Sequence, residues 1–134
     1  DKISMALHRI NFSSGTSWEE TVGYSRAVRV GNFIRVSGTT AVNGTEVFAP
    51  NDAYEKTLFI IGKIEQILVQ AKATLEHVVA TRIYITNMND WEAVGKAHAA
   101  YFGKIRPAAT MVEVSSLIHP DLVVEIEVEA ICPY

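Results

Sequence analysis

The chain has little cysteine and no long apolar run. Its 134 residues include one cysteine, Cys132, and a single thiol can neither close a disulfide within the chain nor build a cysteine-rich zinc site. No apolar stretch approaches the ~18 residues that a membrane-spanning helix needs. The first five residues contain no apolar segment of the kind found in signal peptides. These absences predict a cytoplasmic protein with no membrane partner.

Neither sign of charge is in large excess. Twelve Lys and Arg residues face fifteen Asp and Glu residues, which leaves a net charge of −3. A weakly acidic chain has no general attraction for phosphate backbones, so we expect no nucleic-acid partner. Apolar residues make up 49% of the sequence, the share of a globular domain. Because no segment is linker-like, the sequence predicts one domain over residues 1–134.

A long amphipathic helix is predicted to begin at Asp52 and to run for about 22 residues. Asp52 and Glu55 are spaced as in a capping box. The predicted solvent side carries Lys56, Lys63 and Gln70. The predicted buried stripe consists of Leu58, Ile61, Ile64, Leu68, Ala71 and Leu75.

A second helix is predicted to begin at Asn89 or Asp90, since either residue can serve as its N-cap. Gly103 is typical of a helix end, and Pro107 prevents any continuation. Its predicted buried stripe consists of Val94, Ala97, His98, Tyr101 and Phe102.

The remaining periodic segments alternate as strands do. They are residues 7–12, 26–30, 32–37, 78–86, 110–114 and 122–131. The order of strands, helix, strand, helix and strands predicts an α+β domain, in which both helices pack on one face of a single sheet. The other face would mix apolar and charged side chains, so we expect it to meet another subunit. It would carry Phe33, Arg35, Arg82, Tyr84, Met111, Glu113, Val123, Glu125 and Glu127.

Three glutamates in the last strand are the first candidates for chemistry. Glu125, Glu127 and Glu129 share one face of the strand and are spaced by ~6.6 Å. If that face is buried, at least one of them needs a cationic partner or a raised pKa. A glutamate with a raised pKa can act as an acid or a base, whereas a paired one is a structural ion pair. The spacing alone leaves both interpretations open.

Metal and nucleophile motifs are missing. No pair of the histidines has the i, i+4 spacing of a helical zinc motif. No G-x-S-x-G sequence is present, and serines at strand ends, such as Ser37, are usually turn formers. We therefore predict neither a metal site nor a serine nucleophile.

Several segments, taken in order, resemble the YjgF/RidA/L-PSP family. They are 23–27 (GYSRA), 36–39 (VSGT), 87–91 (NMNDW), 106–114 (RPAATMVEV) and the final strand around its Glu-Ile-Glu sequence. The resemblance covers about residues 20–131 and implies a chorismate-mutase-like fold with one mixed sheet. It also implies a homotrimer whose three sheets enclose a central barrel, with ligand clefts between subunits.

The same resemblance implies a chemistry that needs no cofactor. Archetypal members hydrolyse enamines and imines, such as 2-aminoacrylate, to a keto acid and ammonia. The alternatives are a non-catalytic module that binds a small organic ligand, and the ribonuclease or translation inhibitor of the family's older name. The net charge of −3 argues against the ribonuclease.

Site residues follow from the resemblance position by position. Glu127 corresponds to the glutamate that supports protonation and hydrolysis. The arginine that grips a substrate carboxylate is replaced by Ala109, a cysteine near it by Met111, and an asparagine of the second helix by Gly95. Since Ala109 offers no charge, we predict weak activity on 2-aminoacrylate. The predicted ligand-binding residues, which would meet Glu127 at a subunit boundary, are Tyr24, Ser37, Gly38, Ala109 and Met111.

Overall fold

A computed structural model describes residues 8–133 of the chain. Residue 7 of the predicted first strand, and the first five residues, lie outside this range. The described residues form eight strands and three α-helices, together with two single turns of 3-10 helix at Leu75–His77 and Met88–Asp90. In chain order the elements are β1 (Arg9–Phe12), α1 (Ser17–Val22), β2 (Ala27–Val30), β3 (Phe33–Thr40), β4 (Val42–Asn43), β5 (Glu46–Val47), α2 (Ala53–Gln70), β6 (Val78–Ile85), α3 (Trp91–Phe102), β7 (Ala108–Glu113) and β8 (Val124–Ile131).

Six strands form one mixed sheet in the order β1-β2-β3-β8-β6-β7. The pair β6–β7 is parallel, as expected for two strands joined by helix α3, and the other pairs are antiparallel. Helix α2 packs on β3 and β8, and α3 packs against α2. The predicted α+β class and single mixed sheet are therefore confirmed. Strands β4 and β5 form a separate hairpin.

The alternation in β8 divides the two faces of the sheet. Val124, Ile126, Val128 and Ala130 are buried under the helices. The glutamates between them lie on the opposite face, which we call the open face. Thr81 of β6 pairs with Val128 and contacts His98 of α3, so both long helices cover the same side.

Helix α2 begins as predicted. Asp52 is its N-cap, and the Asp52 carboxylate accepts a hydrogen bond from the Glu55 backbone N–H at 3.0 Å. The helix ends at Gln70 and is 18 residues long, so the prediction of about 22 residues was too long. Leu75 is buried as expected, but it belongs to the following 3-10 turn.

The prediction that Lys56 and Lys63 face solvent was wrong. Lys56 is fully buried, and its Nζ donates to the Phe48 carbonyl at 3.0 Å. Lys63 Nζ donates to the carbonyls of Thr40 and Val42, each at 3.1 Å. Burial lowers the pKa of both lysines. Both lysine side chains are withdrawn from solvent because the chain around the β4–β5 hairpin covers this side of α2 and supplies the carbonyl acceptors.

The prediction of which side chains near β7 and β8 lie on the open face was also wrong for three residues, Met111, Glu113 and Val123. Met111 pairs with Ile83 and packs against the core, so it lies on the helix-covered face. Glu113 is on the same face, where its carboxylate accepts from the Met88 backbone N–H at 2.7 Å. Val123 precedes β8 and also packs against the core. The residues of β7 that lie on the open face are Ala108, Thr110 and Val112.

Candidate functional site

Two arginines flank Glu129 on the open face. Glu129 pairs with Arg35 of β3 on one side, and Arg82 of β6 reaches it from the other. Arg82 Nη1 lies 2.9 Å from Glu129 Oε1, and Arg35 Nη1 lies 3.1 Å from the same oxygen. The pKa of Arg82 is raised, chiefly by its hydrogen bond to Glu129. Glu129 is thus held in a structural ion-pair network.

Glu127, the predicted catalytic residue, is fixed from β6. The Tyr84 hydroxyl donates to Glu127 Oε1 at 2.8 Å. Arg35 and Arg82 lie 3.7 and 3.9 Å from that oxygen. The pKa of Tyr84 is raised, first by this hydrogen bond and then by burial. Glu127 is therefore a positioned acceptor beside two cations.

Glu125 lies in different surroundings. Among the described residues it forms no hydrogen bond and no ion pair, although it is half-buried. Burial raises the pKa of its carboxyl group; the Glu127 charge raises this pKa further, and Arg26 partly opposes the rise. The carboxylate lies against Gly38, where a Cβ atom would overlap its oxygen. Our sequence-based site did not include Glu125, although the alternation of β8 had marked it as one of three candidates.

A bulge brings Ser37 and Gly38 to this carboxylate. The register between β3 and β8 shifts between Val36 and Thr39, and β3 continues through Gly38 instead of ending there. The Ser37 hydroxyl donates to the Ser25 carbonyl at 2.6 Å. Arg26 Nη2 donates to the Gly38 carbonyl at 2.6 Å. Hydrogen bonds thus join the two residues after Tyr24 to the bulge. Tyr24 itself precedes them directly in the sequence, and its ring is exposed.

Ala109 and Met111 lie elsewhere in the single chain. Ala109 pairs with Thr81 on the helix-covered face of β7, which is an edge strand. The Thr81 hydroxyl lies 3.0 Å from His98 Nε2, and burial lowers the pKa of His98. From Glu127 to β7 the separation is two strand spacings, about 10 Å. One chain therefore brings Ser37 and Gly38 to Glu125, and leaves Ala109 and Met111 on the other face from Glu127.

Two of the cavities on the described part of the chain are lined by residues of β1 and β2. A cavity of about 350 Å³ adjoins the bulge and is lined by Arg9, Val28, Val30, Phe33, Arg35 and Ser37. A larger one of about 690 Å³ lies between β1, β2 and the end of α2, where Cys132 Sγ is 3.9 Å from His77 Nδ1. It contains no residue of the predicted site. Over residues 8–133, no three His, Cys, Asp or Glu side chains are grouped to bind a metal, and no helix is long and apolar enough to cross a membrane.

Comparison with known proteins identifies the family to which this fold belongs. The model of the family described as Endoribonuclease L-PSP matches residues 15–132. A crystal structure of a YjgF-family member from Mycobacterium tuberculosis is 47% identical, with a TM-score of 0.85, and the match covers 93% of this chain and all of that one. The chain belongs to the YjgF/RidA/L-PSP family, as its motifs predicted.

Sequence relatives agree with this assignment. An uncharacterised protein of Streptomyces coelicolor is 35% identical over 127 residues, which are 95% of this chain and 93% of that protein. A RutC family protein of Pyrococcus abyssi is 37% identical over 105 residues, which are 78% of this chain and 82% of that protein. Membership supports a role in small-molecule binding or deaminase-type chemistry.

Proposed function

We propose that the chain is a cytoplasmic homotrimer that hydrolyses an enamine or imine in clefts between its subunits. The observation that carries this proposal is the pair of carboxyl groups beside the Ser37–Gly38 bulge. Glu127 is held by Tyr84, while Glu125 has no hydrogen-bond partner among the described residues. Two carboxyl groups in unlike surroundings suit a reaction that both delivers a proton and activates water.

The trimer is supported by what a single chain leaves exposed. Phe33, Val112 and Ile131 are all about two-fifths exposed or more, at 39%, 40% and 48%. They lie on the open face together with the charged network, and such mixed patches mark interfaces. The edge strand β7 leaves the exposed Ala109 available to another subunit, with the partly buried Met111 two residues further along the strand. In a trimer this part of β7 would complete the cleft of a neighbouring copy.

The reaction consumes one water and releases one amine. Protonation of the enamine carbon, or of the imine nitrogen, gives an iminium ion that water attacks. The resulting carbinolamine expels ammonia or an amine and leaves a carbonyl compound. We assign to Glu127 the positioning of this water, since Tyr84 fixes its Oε1 and leaves its second oxygen for another contact.

We propose a substrate without a carboxylate group, because residue 109 cannot bind one. Ala109 has no charge and no donor, and a charge-assisted contact there is worth about 2–3 kcal/mol, or about 30- to 150-fold in rate. Arg35 and Arg82 are both engaged with Glu129, and Arg26 donates to the Gly38 carbonyl. The guanidinium groups of these three arginines thus already contact acceptors within the chain.

A matched pair of imines tests the proposal. An amine oxidase acting on phenethylamine and an amino-acid oxidase acting on phenylalanine yield imines that differ by one carboxylate. We expect the chain to accelerate ammonia release from the first more than from the second. Ala109→Arg should shift the preference toward the carboxylate-bearing imine and raise activity on 2-aminoacrylate, and adding Glu127→Ala should abolish the gain. Ala109→Gln is the uncharged control.

A non-catalytic binding module is the second candidate, favoured by the same absence of charge at Ala109. It predicts binding of small organic molecules without acceleration of either imine. Equal rates of ammonia release with and without the protein, for both imines, would therefore contradict the hydrolase and favour the module. Brisk turnover of 2-aminoacrylate by the unmodified chain would contradict the substrate class that we propose.

A further inference from the structure

The three glutamates of β8 have different partners despite their identical spacing. Glu129 contacts two arginines, and Glu127 accepts from the Tyr84 hydroxyl. Glu125, two residues before Glu127 and on the same face, has neither kind of partner among the described residues. A carboxyl group that is half-buried without a partner is costly in its charged form, so it holds its proton more strongly than an exposed glutamate does.

Glycine at position 38 determines where this carboxyl group lies. Any larger residue would place its Cβ atom on Glu125 Oε2. The oxygen therefore reaches the backbone of the bulge, directly beside Ser37. Gly38 and Ser37 are two of the residues that we propose to contact the ligand, so a ligand bound there would lie next to the Glu125 carboxyl group.

The neighbours of Glu125 are a mixed set. Arg26, which precedes β2, is the cation close enough to affect it, but Arg26 Nη2 is bonded to the Gly38 carbonyl and forms no ion pair with the glutamate. Thr40 of β3 and Tyr84 of β6 are its cross-strand partners, and the Tyr84 hydroxyl is directed to Glu127. Glu127 is the neighbouring anion. The surroundings thus leave the Glu125 carboxyl group free to exchange a proton with a bound ligand.

We propose that Glu125 is a second catalytic residue of the cleft and delivers the proton that begins the hydrolysis, while Glu127 positions the water. This assignment rests on the proposed function. It divides acid and water-positioning roles between two carboxyl groups of one strand, about 7 Å apart along the chain.

Glu125 gives and takes up equal numbers of protons over the reaction. Its O–H bond breaks as the enamine carbon takes the proton, and the nitrogen lone pair forms the C=N bond of an iminium ion. The carboxylate then removes a proton from the attacking water as the C–O bond forms. It returns that proton to the nitrogen as the C–N bond breaks, and regains one from the hydroxyl group as the carbonyl forms. The net change is enamine plus water to carbonyl compound plus ammonia.

The test compares Glu125→Gln and Glu125→Asp with the unmodified protein, using the imine from phenethylamine between about pH 5 and pH 9. Glu65→Gln, on an exposed position of α2, is the matched control. We expect Glu125→Gln to lower kcat by about 100-fold with KM changed by less than about threefold. The kcat of the unmodified protein should fall as the pH rises, whereas the kcat of Glu125→Gln should not. Glu125→Asp should restore part of the rate.

A second measurement does not depend on turnover. Carboxyl NMR titration of the protein, with Glu125 assigned by its absence from Glu125→Gln, should give this group a pKa above the ordinary glutamate range. A Glu125→Gln variant with unchanged kcat and pH profile, or a Glu125 that titrates at or below the ordinary range, would overturn the assignment. Failure of the proposed function is distinct, because it is seen in the unmodified protein alone as no acceleration of either imine.

Discussion

The carboxylate of Glu125 occupies the space in which a side chain at Gly38 would begin. The two residues lie on neighbouring strands, at the bulge where the register of β3 and β8 shifts. This contact joins a backbone irregularity to a titratable group. The Glu125 carboxylate can occupy this position only while residue 38 has no side chain.

Gly38→Ala should displace the Glu125 carboxylate and leave most of the stability intact. The atoms in the way belong to the end of a flexible side chain, so we expect a loss of less than about 1 kcal/mol in the free energy of unfolding. Activity should fall to nearly that of Glu125→Gln, and the double variant should be no worse than either single one. Gly62→Ala, where the nearest atom is at 3.5 Å, is the control. Additive losses in the double variant would argue against coupling.

Glu125→Gln should stabilise the fold at neutral pH. The pKa of Glu125 is raised in the folded state, so the folded protein binds more protons than the unfolded chain between the ordinary glutamate pKa and the raised value. Stability is therefore lost as pH rises through this window, and glutamine avoids the loss. Urea unfolding should show a more stable variant at about pH 7.5 and no difference from the unmodified protein near about pH 3.5. If Glu125→Gln is less stable than the unmodified protein at neutral pH, the Glu125 carboxylate has favourable partners in the folded state.

Lys56→Ala should be strongly destabilising for a lysine substitution. It removes a fully buried aliphatic stem and leaves the Phe48 carbonyl without its donor. We expect a loss of about 2–4 kcal/mol, and a smaller one for Lys56→Met, which keeps the stem. Lys96→Ala, on the exposed side of α3, should change stability by less than about 0.5 kcal/mol. Chemical denaturation of the three variants measures these differences.

The open face should hold the proposed trimer together. Light scattering of the unmodified protein at micromolar concentration should give a mass three times the 14.8 kDa of the chain. Phe33→Asp should reduce the mass, because it places a charge in the apolar part of the interface. Ile118→Asp, at a position 78% exposed outside the strands, should leave it unchanged. A mass near 14.8 kDa for the unmodified protein would exclude the trimer.

Local patterns in the sequence were sufficient for most of the architecture. The alternation of β8 identified the three glutamates as one face, because successive side chains of a strand point to opposite sides. Asp52 marked the start of α2, since a capping carboxylate needs only the backbone N–H groups of the first turn. The order of motifs identified the family, which the match to residues 15–132 confirms.

Contacts between segments distant in sequence decided the rest. Lys56 is buried because the chain around the β4–β5 hairpin covers it, and periodicity within α2 carries no information about that cover. Pairing with β6 determines which side chains of β7 face the helices, and it places Met111 beneath them.

The three glutamates show the same division most clearly. Their spacing is a property of the sequence, but their partners come from β3, β6 and the bulge. Only those neighbours determine that Glu129 and Glu127 are paired and that Glu125 is not, because the cost of a charge depends on what surrounds it in space.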